Sequence, residues 1–437
     1  MHKLIRNARI YTPRQHNGDP APAGSGAALR GSAMSRVAVY DPGAVLIRDG
    51  LIARIGPQDE VLAQIGAAPP PHDAAGRRAE PTPDLVIDAG GRCVIPGFVD
   101  PHTHLCFAAT REDEFRLRLA GADYMEIHRQ GGGIMSSVRT LRAASRQQLL
   151  ERTLSGLARS LSFGVTTVEV KTGYGLATDA ELRQLETIRD AAQMVPQDVV
   201  ATFLGAHSIP AEYVQRREEF VQLVIDEMLP AAAQTGIPRY CDIFTEEGVF
   251  TVEESERILR EARRYGMGLK AHVDEIVNLH GAAMAARLGC VSAEHLIAAD
   301  DDGLKAMADA GTIAVVLPGT SFSIRKPFAR ARAMVDFGVP LALATDCNPG
   351  SCYTEAMPFI YTLAVMQLGL SMEEALTAVT LNAAHAIGMA DRVGSLETGK
   401  QADLVILDGA SPAVIPYHLA VNPVLSVYKR GELVAGG

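Results

Sequence analysis

Cysteine is scarce in this chain of 437 residues: six in all (Cys93, Cys106, Cys241, Cys290, Cys347 and Cys352), none in a CxxC pair. That excludes a dense disulfide framework and fits a reducing compartment, with most of the thiols as small buried groups. A basic excess is also missing, since 41 Lys and Arg stand against 51 Asp and Glu for a net charge of −10. No Lys/Arg run is long enough to track a phosphate backbone, so nucleic acid is not the expected partner. Long hydrophobic stretches are absent too: none reaches the roughly 18 residues that a membrane span needs. The opening MHKLIRNARIYT alternates like a strand and has neither an apolar signal region nor a cleavage site, which points to the cytoplasm. What is present is ample core material, 47% apolar against 21% charged residues, as in a large globular protein and not a disordered one.

Both ends read as short strands. KLIRNARIY, SRVAVYD, AVLIRDG, LIARIGP and DLVIDAGG lie in the first 95 residues, with Asp49-Gly50 at a hairpin turn; ADLVILDG, VLSVYKR and ELVAGG lie in the last 40, with a second turn at Arg430-Gly431. Residues 1–95 and 391–437 are therefore expected to pair into one small β-sandwich domain. Two Pro/Gly/Ala-rich stretches, Asn17–Ala33 and Ala67–Pro83, read as loops or mobile insertions that carry no chemistry. Between the ends, over 96–390, eight short apolar runs alternate with helical patterns: GFVDPHTHLC, GVTTVEVKTG, VVATFLGAH, YCDIFTEEG, GLKAHVDEI, VSAEHL, TIAVVLPGT and PLALATDCN. Runs too apolar to be half-exposed, each followed by a helix, are those of an α/β fold with a closed parallel sheet. Eight of them predict a (β/α)8 TIM-like barrel, with a doubly wound open sheet as the alternative.

The polar residues within these runs carry the chemistry, because the active site of such a barrel forms at the C-terminal strand ends. Run one ends in His102-Thr103-His104, run five in His272, run six in His295 and run eight in Asp346. The period of two along a strand puts His102 and His104 on one face, so a single strand offers two imidazoles to one ion. An HxH alone is more often a pair of satisfied histidines. Four histidines and an aspartate at converging strand ends point to a metal. Three neutral imidazoles and a carboxylate suit Zn²⁺ or Fe²⁺ with a position left for water, and such an ion lowers the pKa of that water from about 15.7 to about 7. Hydrolysis is the expected chemistry. Glu275, three residues past His272, is placed to take or relay the proton, although a glutamate there could equally be a solvated group at a helix start.

Pro96-Gly97-Phe98-Val99-Asp100-Pro101-His102-Thr103-His104, Asn382-Ala383-Ala384 and the stretch from Gly394 to Val405 resemble the amidohydrolase superfamily. VEVKTGYGL (168–176), FLGAH (203–207) and TDCNPGS (345–351) are similar to its branch that opens imidazolone rings in histidine degradation. The resemblance runs through nearly the whole chain. It implies His102, His104, His272 and Asp346 as ligands of one Zn²⁺ or Fe ion per chain, with Glu275 and Asp346 in the acid/base work. His295 is implied as an outer or carbonyl-polarising catalytic group. It further implies hydrolysis of 4-imidazolone-5-propanoate to N-formimidoyl-L-glutamate, with Arg111 on the propanoate, Tyr174 and His207 against the substrate, and Asn348, Gly350 and Ser351 in a loop that holds ring and carboxylate atoms. Binuclear members bridge two metals with a carboxylated lysine from the fourth strand; Lys171 lies on the second run and the fourth has none, so a mononuclear site is implied. Family members are similar in being homodimers. The nearest alternative is a mononuclear deaminase of an aromatic heterocycle. A scaffold that has lost activity is the alternative of another class, and its usual mark, loss of ligands, is missing.

Overall fold

The structure is a computed structural model that describes residues 2–14, 26–65, 82–120 and 132–437. Five strands come from the N-terminal part: β1 (His2–Pro13), β2 (Val37–Arg48), β3 (Leu51–Pro57), β4 (Leu85–Asp88) and β5 (Cys93–Pro96). The next eight are β6 (Phe98–Asp100), β7 (Val165–Lys171), β8 (Asp198–Ala206), β9 (Tyr240–Thr245), β10 (Gly268–Val273), β11 (Ser292–His295), β12 (Ile313–Val316) and β13 (Leu341–Leu343). The chain ends with β14 (Leu404–Leu407), β15 (Val424–Lys429) and β16 (Glu432–Gly436).

The eight apolar runs become β6 to β13, hydrogen-bonded in chain order and all parallel. Nearly all of their residues are buried, with Val, Ile, Leu and Ala the commonest, as a barrel whose outer face is covered by helices requires. The helices start where the sequence supplies caps: Ser145, Thr251 and Ser371 each form a reciprocal capping box with the residue three positions on. Between β13 and β6 the seam is closed just beyond the named strands. Asp346 N–H donates to His102 O at 3.1 Å, His104 N–H to Cys347 O at 3.0 Å, and Asp100 accepts both the N–H and the hydroxyl of Thr345. The bonds that close the barrel therefore run through the segment carrying His102, His104 and Asp346.

The two chain ends pair as one eight-stranded mixed sheet in the order β16-β15-β14-β5-β1-β2-β3, with β4 alongside β1. Asp49-Gly50 and Arg430-Gly431 both turn with positive φ at both residues, the backbone that matches strand twist in a two-residue hairpin. One face of the sheet contributes Cys93, Ile95, Val405 and Val427 to the barrel's core. Lys429 ties the two units by donating to Asp403 and to Asp198 at the start of β8. The described part of the first Pro/Gly/Ala-rich stretch is anchored, since the Asn382 amide exchanges two 2.8 Å hydrogen bonds with the backbone of Leu29, and Met34 is fully buried. The rest of that stretch and nearly all of the second lie outside the described residues. No helix among the described residues is long and apolar enough to cross a membrane.

Candidate metal centre and active site

His102 and His104 leave β6 on an extended backbone, so both rings point into the barrel mouth, where His272 from β10 meets them. Nε2 of His104 lies 3.3 Å from Nε2 of His102 and 3.4 Å from Nε2 of His272. Asp346 Oδ1 stands 3.4 and 3.6 Å from the first two, while its Oδ2 accepts from the Thr320 hydroxyl. Behind the rings, His102 Nδ1 is 2.5 Å from Glu294 and His272 Nδ1 is 3.1 Å from Asp242. Those carboxylates face the Nδ1 side of the rings and leave the Nε2 atoms turned toward one another. Nitrogens and a carboxylate oxygen converging at such distances call for a proton or a metal cation among them. The donor set fits a divalent ion that accepts nitrogen and oxygen ligands. His102, His104 and Asp346 form one group able to hold an ion, and His102, His272 and His295 another.

Burial and neighbouring imidazoles hold His104 and His272 well below the ordinary histidine range, and burial takes His207 down to about 4. At His102 burial also favours the neutral ring, but the Glu294 charge outweighs it and raises the group to about 9. Burial would raise Asp346, yet the His102 ring keeps it low.

One register step below, the barrel interior is ionic. Lys171 Nζ contacts Glu169, Asp242 and Glu294 at 2.8, 2.7 and 3.1 Å; Lys270 Nζ contacts Glu169 and Glu294 at 2.8 and 3.0 Å and donates to Pro101 O. All five side chains are fully buried. Sequence reasoning set Lys171 aside as a metal bridge and otherwise missed this layer. Its signal was visible in retrospect: Glu169 and Lys171, Lys270 and His272, and Ser292 and Glu294 each alternate with apolar residues on one strand. Removing one partner of a buried ion pair typically costs about 3–5 kcal/mol. Lys171→Met is therefore expected to unfold at markedly lower temperature than wild type at equal metal loading, and an unchanged transition would remove the network from the account of stability.

Glu275 follows Asp274 on the loop after β10, and its carboxylate stands 3.7 Å from His295 Nδ1 with 15% of the side chain exposed. Burial raises its carboxyl above the usual range, His295 opposing and Asp346 adding. Two buried carboxylates fix the loop: Glu246 accepts the N–H groups of Ile276 and Val277, and Asp274 those of Leu279, Gly281 and Ala282. His295 itself has φ +71, a left-handed backbone that a non-glycine residue rarely holds. Glu246 was not singled out in the sequence.

On the other side of the mouth, His207 stacks on His104 with centroids 5.0 Å apart and planes 12° from parallel, and Tyr174 lies 5.5 and 5.9 Å from the two rings. Phe244, absent from the expected set, closes the box at 5.9 Å from His272. The loop carrying Tyr174 is held from outside, Glu181 accepting from the backbone of Gly173, Gly175 and Leu176. Gly173, at φ +111, has no room for a side chain, because a β-carbon would meet His207 Nδ1 at 2.8 Å. Asn348 spends its side chain on its own loop, accepting from Gly350 and Ser351 N–H and donating to Asp346 O and Ser351 Oγ. Arg111 comes up against this loop, with Nη1 in the space that a β-carbon on Gly350 would need, and its charge opposes the upward push of burial on the Tyr174 phenol. The structure thus brings His102, His104, His207, His272, His295 and Tyr174 together with Asp346 and Glu275, and sets Arg111 against the loop of Asn348, Gly350 and Ser351.

The sequence pattern of the amidohydrolase family matches residues 93–434. The imidazolonepropionase of Desulfotalea psychrophila is 48% identical over 433 residues, 99% of each chain, and that of Symbiobacterium thermophilum 53% identical over 413 residues, 94% of each. Among solved structures, 5-methylcytosine deaminase from Klebsiella pneumoniae liganded with 5-fluorocytosine is similar with TM-score 0.70 at 20% identity, covering 99% of this chain and 97% of the other. An adenosine deaminase from Xanthomonas campestris with bound zinc gives 0.66 at 20%, covering 99% and 92%. At that identity the likeness speaks to the fold alone.

Proposed function

The chain belongs to the imidazolonepropionases of the amidohydrolase family, and on that premise we propose that His102, His104, His272 and Asp346 hold one Zn²⁺ or Fe ion while the site opens the ring of 4-imidazolone-5-propanoate to give N-formimidoyl-L-glutamate. The observation that carries the metal assignment is that His104 Nε2 lies 3.3 and 3.4 Å from the Nε2 atoms of His102 and His272, with Asp346 Oδ1 3.4 and 3.6 Å from His102 and His104. When bound, the ion supplies Lewis acidity toward water and the ring carbonyl.

The protein's own residues do the rest. Arg111 grips the propanoate, and the box of Tyr174, His207 and Phe244 shields the flat ring from bulk water. Hydrolysis adds water to the ring carbonyl carbon and breaks its bond to the ring nitrogen. Glu275 takes the proton that the water loses and delivers it to the departing nitrogen, so the overall step neither gains nor loses a proton at the enzyme. His295, 3.7 Å from Glu275, orients that carboxylate and faces the oxygen on which charge develops. Asn348 and Ser351 shape the loop on which the carboxylate end rests. We also take the enzyme to be a cytoplasmic homodimer that binds no nucleic acid, a reading supported by the family resemblance and the net charge of −10.

The test is an ultraviolet assay of 4-imidazolone-5-propanoate consumption with parallel measurement of ammonia. Ring opening without ammonia is expected, whereas ammonia from a neutral purine or pyrimidine would replace this reading with the deaminase one. Arg111→Ala probes the substrate's charge. A charge-assisted hydrogen bond contributes about 1.5 to 3 kcal/mol, so KM should rise roughly 10 to 150-fold with little change in kcat if the grip is equal in ground and transition states. Arg111→Lys should recover part of the loss, a point charge replacing a planar fork. Unchanged KM in a folded, metal-loaded variant would count against the propanoate contact.

A further inference from the structure

The Arg111 guanidinium is held before any substrate arrives. Glu114, three residues on in the helix Glu112–Leu119, accepts from Nε at 3.0 Å and from Nη2 at 2.6 Å, which takes up one edge of the fork. Both side chains are 16% exposed. The same carboxylate accepts the Gly133 N–H at 3.1 Å, which ties it to the start of the helix Ile134–Ala143. On the opposite edge, Nη1 fills the space beside Gly350, where a β-carbon would overlap it and lie 3.0 Å from the guanidinium carbon. Gly350 has none of the positive φ that demands glycine elsewhere in this chain. The missing side chain, and not backbone freedom, is what this position requires.

We infer that Glu114 and Gly350 are positioning residues that set the specificity for a carboxylate-bearing substrate, Glu114 by fixing the Nε/Nη2 edge and Gly350 by leaving room for Nη1. The inference rests on the reading that Arg111 binds the propanoate. A flexible arginine gives up about 2 kcal/mol of rotamer entropy when it is immobilised, and a fork already fixed gives up far less on binding. Glu114 does not compete with the substrate, because it uses Nε and one N–H of Nη2. Among the described residues no acceptor takes the N–H groups of Nη1 or the second of Nη2, which are left for the incoming carboxylate.

The experiment compares 4-imidazolone-5-propanoate with its uncharged propanamide in the full-length, metal-loaded enzyme. Glu114→Ala is expected to raise KM for the propanoate about 10-fold, with kcat within twofold and the propanamide KM unmoved, a split that a general loss of structure would not give. Glu114→Gln keeps one acceptor oxygen and should fall between wild type and Glu114→Ala. Gly350→Ala should likewise raise the propanoate KM about 10-fold alone, yet add less than twofold in an Arg111→Ala background, where the guanidinium it displaces is gone. If Arg111→Ala itself leaves KM unchanged, the propanoate reading fails. If Arg111→Ala raises KM while Glu114→Ala and Gly350→Ala do not, that reading stands and this inference is overturned. A fall in KM on Glu114→Ala would overturn it too, by making Glu114 a competitor of the substrate.

Discussion

Glu275→Gln should leave the metal content of the purified enzyme unchanged and lower kcat by about 10² to 10⁴-fold, the usual contribution of a placed general acid/base. The amide keeps the shape and the loop is fixed independently of it, since Glu246 and Asp274 hold the flanking backbone. What the amide cannot do is accept a proton from water. The raised carboxyl of Glu275 adds a second signature. A base is effective only when ionised, so activity should fall as pH drops through that raised value, above the ordinary glutamate range. The acidic limb should vanish in the variant. Turnover within threefold of wild type would remove Glu275 from the chemistry.

Chelation should abolish turnover, and one equivalent of divalent ion per chain should restore it. The count follows from the space available. His104 lies within 3.6 Å of each of the other three proposed ligands, while the nearby carboxylates of Glu169, Asp242 and Glu294 already surround the Lys171 ammonium. A second cation would have to displace that ammonium from full burial. An ion that binds only the folded state also raises its stability, by about 2.7 kcal/mol at a free concentration of 100 Kd, so the chelated protein should unfold at lower temperature. Metal analysis showing two tightly held ions per active chain would contradict the single-ion site.

The expected strands and the histidines at their ends were legible because they depend on local pattern. A buried parallel strand reads as a short apolar run, an HxH at its end puts two rings on one face, and the Asp-Gly and Arg-Gly turns announce their hairpins. What stayed hidden depends on partners distant in the chain. Nothing near Lys270 in sequence says that its ammonium meets Glu169 and Glu294 across the barrel, or that Asp242 and Glu294 stand behind His272 and His102. Thr320 reads as an ordinary helix residue until Asp346 accepts from it. Asn382 belongs to a motif that resemblance alone could mark, and its task proved to be anchoring Leu29. The reason for glycine at 350 lay in a side chain 239 positions away, as the residue numbers themselves give.

The seam between β13 and β6 governs when the centre comes into being. Asp100 and Thr345, which help close it, are 245 residues apart in the chain. In the closed barrel every intervening βα unit lies, in right-handed order, between the first strand and the last. Bringing such distant segments together carries a loop-closure entropy that nearer pairings do not. His102 and Asp346 come from the two ends of that long stretch and stand together only where the seam joins, Asp346 N–H donating to His102 O. The proposed ligand set is therefore assembled across the closure itself, and an intact set requires that the ring of strands has shut.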